Sequence, residues 1–473
     1  MPRLRGGVRL RSARGIGATF WRRPQGATRA ARVFGLVPAC VLRLDAAPFI
    51  MSTEPELHLS HLGARLQPPA IASLMGAALA DPAMLSLAAG FTDNRTLPVA
   101  SVRAAVEALV QREGPPEFLQ YGANRGREGL RRLLAARTAA LDGLPAGAID
   151  PERTLVGNGS QQLLHLAIEV LADPGDIVLV ERPTYFVFME MLAGLGVEAV
   201  GLPARPDGAL DLPACEALLA ELARSPRGRR VKALYLMSYF GNPSGTSRTE
   251  AEKAALAGLL ERAGLIIPVL EDAAYRDLGF DGAWPARSVL ALEAWSRFPR
   301  LYLGTLTKPF ATGLKVGYAH ATDARWFDRM CWLKAHQDFG SANFTQAILE
   351  QVVHGGELDR HIAMLRRTYA GKMHRLDAAL EANGLRDAGW TWARPAGGLY
   401  LWLCAPEGVD TDAEGPFWRA CLSQRVLYVP GGLCLAAPRD RRHVRLSFGV
   451  LAEEALAEAA ARFCRAAKSL NVG

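Results

Sequence analysis

The stretch Leu301-Tyr302-Leu303-Gly304-Thr305-Leu306-Thr307-Lys308-Pro309 opens as an apolar run of strand length and breaks into hydroxylated residues around one lysine. That pattern places Lys308 at the end of a strand. A lysine held there, with other cations nearby, can keep a neutral amine and bond an aldehyde. Thr305 and Thr307 offer hydroxyls to an anion, and Lys315, a few residues on, offers a counter-charge. Taken alone, a Thr-Lys pair at a turn is a common surface feature, so the reading depends on what the rest of the chain brings to the same place.

Upstream, the same punctuation recurs. Thr154-Leu155-Val156 leads into Gly157-Asn158-Gly159-Ser160-Gln161-Gln162 and a helical pattern from about Leu163 to Leu171. A helix start with free backbone N–H groups and a serine is a ready anion site. Ile177 to Val180 runs into Glu181-Arg182-Pro183-Thr184-Tyr185, and Val231 to Met237 into Gly241-Asn242-Pro243-Ser244-Gly245. Leu265 to Leu270 runs into Glu271-Asp272-Ala273-Ala274-Tyr275. Nearly all-apolar strands alternating with helices such as Glu250 to Arg262 predict an α/β fold, with a mainly parallel sheet covered by helices on both faces. Function in such sheets gathers beyond the carboxyl ends of the strands, which is where the polar residues stand.

Past about residue 345 the texture changes. A long helical region is followed by a strand-rich segment from Trp390 to Leu403, then Val426 to Val429, the strand His443 to Phe448, and a helix with Leu456, Ala459, Ala460, Phe463 and Ala467 on one face. We expect a large domain over 101–345 and a smaller α+β domain over 346–473, with 51–100 as an arm contributing to the small domain.

The chain has 473 residues and a net charge of +8. Residues 1–50 contain ten arginines and a single acid, Asp45; subtracting their +9 leaves −1 for the remainder. The body therefore lacks the charge excess that nucleic-acid binding needs. The first fifty residues, with Ser12 as their only serine, read as a disordered or spurious extension, and Met51 as a plausible alternative start. Seven scattered cysteines without CxxC spacing point away from a disulfide framework or zinc site, and no apolar run is long enough for a membrane helix. A cytoplasmic enzyme is the expectation, with no metal and no membrane partner.

Pyridoxal 5′-phosphate (PLP) needs a lysine for covalent attachment, a carboxylate at its pyridine nitrogen and donors at its phenolic oxygen, together with a phosphate cradle and a flat residue against its ring. The strand ends offer Lys308, Asp272, Asn242 with Tyr275, Ser160-Gln161 with Thr305 and Thr307, and Tyr185 for these tasks. Eight stretches, in order, carry a resemblance: Leu119-Gln120-Tyr121-Gly122, Gly159-Ser160-Gln161-Gln162, Arg182-Pro183-Thr184-Tyr185, Asn242-Pro243-Ser244-Gly245, Asp272-Ala273-Ala274-Tyr275, Thr305-Leu306-Thr307-Lys308, Pro395-Ala396-Gly397-Gly398 and Arg445-Leu446-Ser447-Phe448. The chain from about residue 60 resembles the fold-type I PLP-dependent aminotransferases of class I/II. Within these it is most similar to the branch holding 2-aminoadipate aminotransferases and the aminotransferase-like domains of MocR regulators.

The resemblance implies that Lys308 is the Schiff-base lysine and proton carrier, Asp272 the pyridine-nitrogen partner, and Asn242 and Tyr275 the phenolate donors. It implies further that Tyr121 reaches the phosphate across a homodimer interface, that Arg445 grips the substrate α-carboxylate, and that Arg65 lies near the substrate side chain. Where the family commonly has arginine, this sequence has Lys315, which keeps the charge and loses the fork; Pro309 and Thr312 also depart from the commoner pattern. The activity implied is transfer of an α-amino group from an amino acid to a 2-oxo acid by a ping-pong route. The alternatives are a β-lyase or decarboxylase on the same scaffold, or a non-catalytic MocR-type sensing domain. The last is disfavoured because residues 1–60 lack a winged-helix pattern.

Overall fold

The computed structural model describes residues 57–470 apart from 73, 75, 77–80, 283 and 438–439. The reading of residues 1–50 and of Met51 lies outside the described residues. The elements below belong to the unit Leu59–Gly473.

After a short strand β1 (Leu85–Ser86) come β2 (Thr154–Asn158), β3 (Ile177–Val180), β4 (Glu198–Gly201), β5 (Val231–Leu236), β6 (Val269–Asp272), β7 (Arg300–Thr305) and β8 (Val316–Ala321). Strands β2 to β8 form one seven-stranded sheet in the order β2-β8-β7-β6-β5-β3-β4. β7, β6, β5, β3 and β4 pair parallel, while β8 runs antiparallel between β7 and β2. The mainly parallel sheet is thus present, with one reversed strand that the apolar pattern does not reveal.

Both faces of this sheet are buried, and side chains alternate between two cores. Val178, Val180, Ala233, Tyr235 and Leu270 join one cluster, whereas Ile177, Leu179, Leu234, Leu236 and Val269 join the other. This is the period-2 consequence of strands covered on both sides. Two of the boundaries differ from expectation by several residues. Leu265 to Pro268 lie before the strand, and β6 runs on to include Glu271 and Asp272. Pro268 has no N–H to give a ladder, although its carbonyl accepts from Leu234 N (2.9 Å). The helix expected from Leu163 begins at Gly159.

Beyond the large sheet, the helix Glu357–Ala382 leads to β9 (Thr391–Trp392), β10 (Tyr400–Cys404), β11 (Val426–Leu427), β12 (Val429–Pro430) and β13 (His443–Ser447). Four of these make a sheet ordered β12-β13-β10-β9, and β11 instead pairs in parallel with β1. The closing helix Glu453–Ser469 buries Leu456, Ala459, Ala460, Phe463 and Ala467, the face its spacing predicts. Among the described residues, no helix is long and apolar enough to cross a membrane.

Candidate active site

The carboxyl ends of β2, β5, β6 and β7 open on one edge of the large sheet. Because β8 is antiparallel, its first residues return to that same edge, with Thr305 opposite Gly317. The reversed strand is what brings Lys315 beside Lys308. Gly317 is also where the helix Gly159–Leu171 approaches most closely: a methyl group there would lie 2.3 Å from Ser160 N. Only glycine leaves room for the helix start to reach this edge.

A cavity of about 130 Å³ results. It is lined by Ser160, Gln161, Tyr185, Asn242, Asp272, Tyr275, Thr305, Thr307, Lys308 and Lys315, together with Gly159, Met237 and Ala274. Residues from five separate strand ends thus meet around one lysine. The Lys308 amine donates to the Gly90 carbonyl (2.5 Å) and has no carboxylate partner among the described residues. Burial lowers its pKa, Arg445 and Lys315 add to that, and Tyr400 opposes it.

Asp272 is buried and makes no ion pair among the described residues. Tyr235 Oη (2.9 Å) and Ala274 N (2.9 Å) donate to its two oxygens. Burial dominates those bonds and pushes its pKa up to about 6. Asn242 and Arg445 are both buried, and Arg445 Nη1 donates to Asn242 Oδ1 (2.9 Å). Arg445 Nη2 donates to Ala88 O (2.5 Å), while Nε is buried without a partner. The guanidinium lies 4.3 Å from the centre of the Tyr400 ring and 5.5 Å from that of Phe186.

On the opposite side stand the anion-binding features. Gly159 has φ of +71°, and Asn158 places no side-chain cap on the helix behind it. Thr305 Oγ1 accepts from Thr307 N (3.1 Å) and donates to Val316 O (3.2 Å). Thr307 Oγ1 is buried with no partner among the described residues, and Lys315, held in a left-handed conformation at φ +56°, closes that side. Unspent N–H groups, an unpartnered hydroxyl and a lysine together match a phosphate.

The family model for aminotransferase class I and II matches residues 82–463. The chain belongs to the class I and II aminotransferases. This aminotransferase is 32% identical to the 2-aminoadipate transaminase of Thermus thermophilus, over 82% of its own chain and 91% of the relative's. It is 30% identical to aromatic-amino-acid aminotransferase 1 of Thermococcus litoralis, over 81% and 88% respectively. Among solved structures, Pyrococcus horikoshii kynurenine aminotransferase in complex with PMP superposes with a TM-score of 0.78 at 26% identity, covering 88% of this chain and 98% of that one. The enzyme is a PLP-dependent transaminase acting on amino acids and oxo acids, and its architecture is fold type I.

The aminotransferase's own residues fit PLP. An amine without an acid faces the cavity, a buried carboxylate without a cation lies within it, and the unpartnered Thr307 hydroxyl marks the anion end. Two of the residues singled out from sequence stand elsewhere. Tyr121 is 80% exposed, its ring edge-on to Phe339, in a surface hollow with Gln120 and Asn343. Arg65 donates to the carbonyls of Gly194 (3.2 Å) and Leu195 (3.4 Å) at the far end of the helix Phe186–Leu195, whose near end carries Tyr185. At about 1.5 Å per residue, that helix separates Arg65 from the cavity by roughly 15 Å, and the structure does not bring it in. Conversely, Tyr235, Tyr400 and the carbonyls of Ala88 and Gly90 belong to the site and were not read from sequence. The only signal available for Tyr400 was its place beside the Gly397-Gly398 turn.

Proposed function

We propose that Lys308 binds PLP covalently through Nζ and that Arg445 selects α-amino acids by their carboxylate. The observation that carries the first part is the meeting of an acid-free lysine amine and a cation-free buried carboxylate in one cavity. When bound, PLP supplies an electron sink for charge developing at the substrate Cα. Asp272 holds the proton on the ring nitrogen. Asn242 and Tyr275 donate to the phenolic oxygen, and Tyr185 covers the ring. Ser160, Gln161, Thr305, Thr307 and Lys315 bind the phosphate. Lys308 Nζ carries the proton taken from the substrate Cα, a task helped by the burial that favours its neutral form.

Arg445 is suited to a carboxylate because its guanidinium is buried against the Tyr400 and Phe186 rings, which steady its fork. Amino donor and oxo-acid acceptor alternate at this one site in a ping-pong cycle. We further propose a cytoplasmic homodimer in which Tyr121 reaches the partner's phosphate. Support comes from the exposure of Tyr121, Leu119 and Phe339 on one surface, and from the six described cysteines, all free. A small domain over 346–473 completed by 51–100 is supported by the pairing of β1 with β11.

The test is an absorbance titration of the cofactor-loaded protein with amino acids and with matching amines that lack the carboxylate. Amino acids should discharge the chromophore and amines should fail. Arg445→Lys should raise KM and lower kcat together, with a loss on the order of 2–5 kcal/mol in transition-state stabilisation. Equal response to amines, or normal turnover by the variant, rejects the carboxylate role.

A further inference from the structure

The hydroxyls of Tyr275 and Tyr400 lie 3.0 Å apart, both buried. Tyr400 opens β10 and pairs with Ser447, while Arg445 pairs with Trp402, so Tyr400 and Arg445 are diagonal neighbours on one face of the sheet. The side chain of Tyr400 is thereby divided between two partners. Its ring lies under the Arg445 guanidinium, 4.3 Å away, and its hydroxyl meets Tyr275. The position is enforced from the other side by Gly90, where a methyl group would lie 2.8 Å from the Tyr400 hydroxyl.

We propose that Tyr400 is a positioning residue that orients the Tyr275 proton toward the phenolic oxygen of the cofactor and strengthens that donation. The inference rests on the reading of Tyr275 as a donor to that oxygen. Each phenol has one proton. If Tyr275 gives its proton to the cofactor, it can meet Tyr400 only as an acceptor, and Tyr400 must be the donor. A hydroxyl that accepts a hydrogen bond is polarised into a better donor itself. The ring of Tyr400 serves the carboxylate end of the substrate and its hydroxyl serves the cofactor end, so one side chain couples the two halves of the site.

The consequence is readable in the pH at which the lysine-bound cofactor changes colour. Stronger donation to the phenolic oxygen draws negative charge away from the neighbouring nitrogen of the lysine link, so that nitrogen loses its proton at lower pH. The charged and titratable groups facing the tyrosine pair and Lys308 are Arg445 from β13, Tyr185 at the start of the helix Phe186–Leu195, Tyr369 from the helix Glu357–Ala382, and Lys315 before β8; Asp272 at the end of β6 faces Tyr185. Tyr400→Phe leaves all of these in place and keeps an aromatic ring under Arg445.

In the cofactor-loaded protein, Tyr400→Phe should move the chromophore transition upward by roughly 0.5–1 pH unit, the worth of one neutral hydrogen bond. KM for the amino donor should stay within about threefold, because the ring–guanidinium contact survives. Tyr275→Phe should move the transition further in the same direction, and adding Tyr400→Phe to it should add nothing. An unmoved or lowered transition in Tyr400→Phe, with Tyr275→Phe still shifted, overturns this inference alone. The same shift from Tyr400→Phe in both backgrounds does so too, since the effect would then bypass Tyr275. If Tyr275→Phe itself leaves the transition unmoved, the underlying reading of Tyr275 falls and this inference with it.

Discussion

Glu271 and Asp272 are consecutive carboxylates on β6, both buried, yet they stand in opposite chemical situations. Glu271 accepts from Lys253 Nζ (2.7 Å) and from Val289 N (2.8 Å), and Lys253 also donates to the Arg287 carbonyl (2.8 Å). Asp272 has two neutral donors and no cation among the described residues. The strand's alternation sends one acid into a closed ion pair and the other into the cavity. Lys253 and Lys308 repeat the contrast on the cation side, one paired with an acid and the other with a carbonyl only. A satisfied buried pair supports the sheet. An acid and an amine that lack an opposite charge, kept apart across a cavity, are groups held ready for a ligand.

The largest effect should come from Lys308→Ala, which removes the residue proposed both as attachment point and as proton carrier. Turnover should fall by about 10⁴-fold or more in amino-acid half-reactions followed by stopped-flow absorbance, while the fold is retained. Lys253→Met, one strand face away, should do the reverse. It leaves Glu271 buried and alone, so denaturant unfolding should show a loss of roughly 3–5 kcal/mol, with the cofactor still attached to the surviving protein. If Lys253→Met abolished attachment and Lys308→Ala only lowered stability, the assignment of the two lysines would be inverted.

The acids differ more subtly. In the cofactor-free protein the Asp272 carboxyl titrates near 6, above the ordinary value of 3.8, because burial disfavours its charge. Its raised pKa means that the contribution of Asp272 to folding stability is fully present below about pH 4 and is lost as pH rises through about 6. Asp272→Asn should therefore stabilise the cofactor-free protein by roughly 2–3 kcal/mol at pH 8, an advantage that shrinks toward zero below about pH 4 in parallel urea titrations. The same variant should be catalytically crippled once loaded, since it removes the carboxylate proposed to partner the ring nitrogen. A pH-independent effect on stability would place Asp272 among the structural acids with Glu271.

Much of this contrast was legible before the structure. Asn242, Asp272 and Lys308 each follow an apolar run that breaks into polar residues, and that break marks a strand end whatever the tertiary detail. β4 and β8 escaped notice for physical reasons. β4 is an edge strand reading Glu-Ala-Val-Gly and is only partly buried, and β8 carries Gly317 and His320 within six residues, so neither shows a continuous apolar run. The shift of β6 by several residues followed from Pro268, whose missing N–H delays the ladder. The contacts of Ala88 and Gly90 with Arg445 and Lys308 were beyond sequence reading altogether. They span more than two hundred residues and use backbone carbonyls, which every residue possesses. Arg65 was named from resemblance and found capping a helix, because three carbons and a planar fork serve carbonyls as readily as carboxylates.

The central claim is that Lys308, and not one of the paired lysines, bonds the cofactor. Borohydride reduction of the PLP-loaded protein, followed by proteolysis and mass mapping of the labelled peptide, tests it most directly. The account predicts one cofactor adduct per chain, on Lys308. An adduct on Lys253, Lys315 or any other lysine, with Lys308 unmodified, would contradict it.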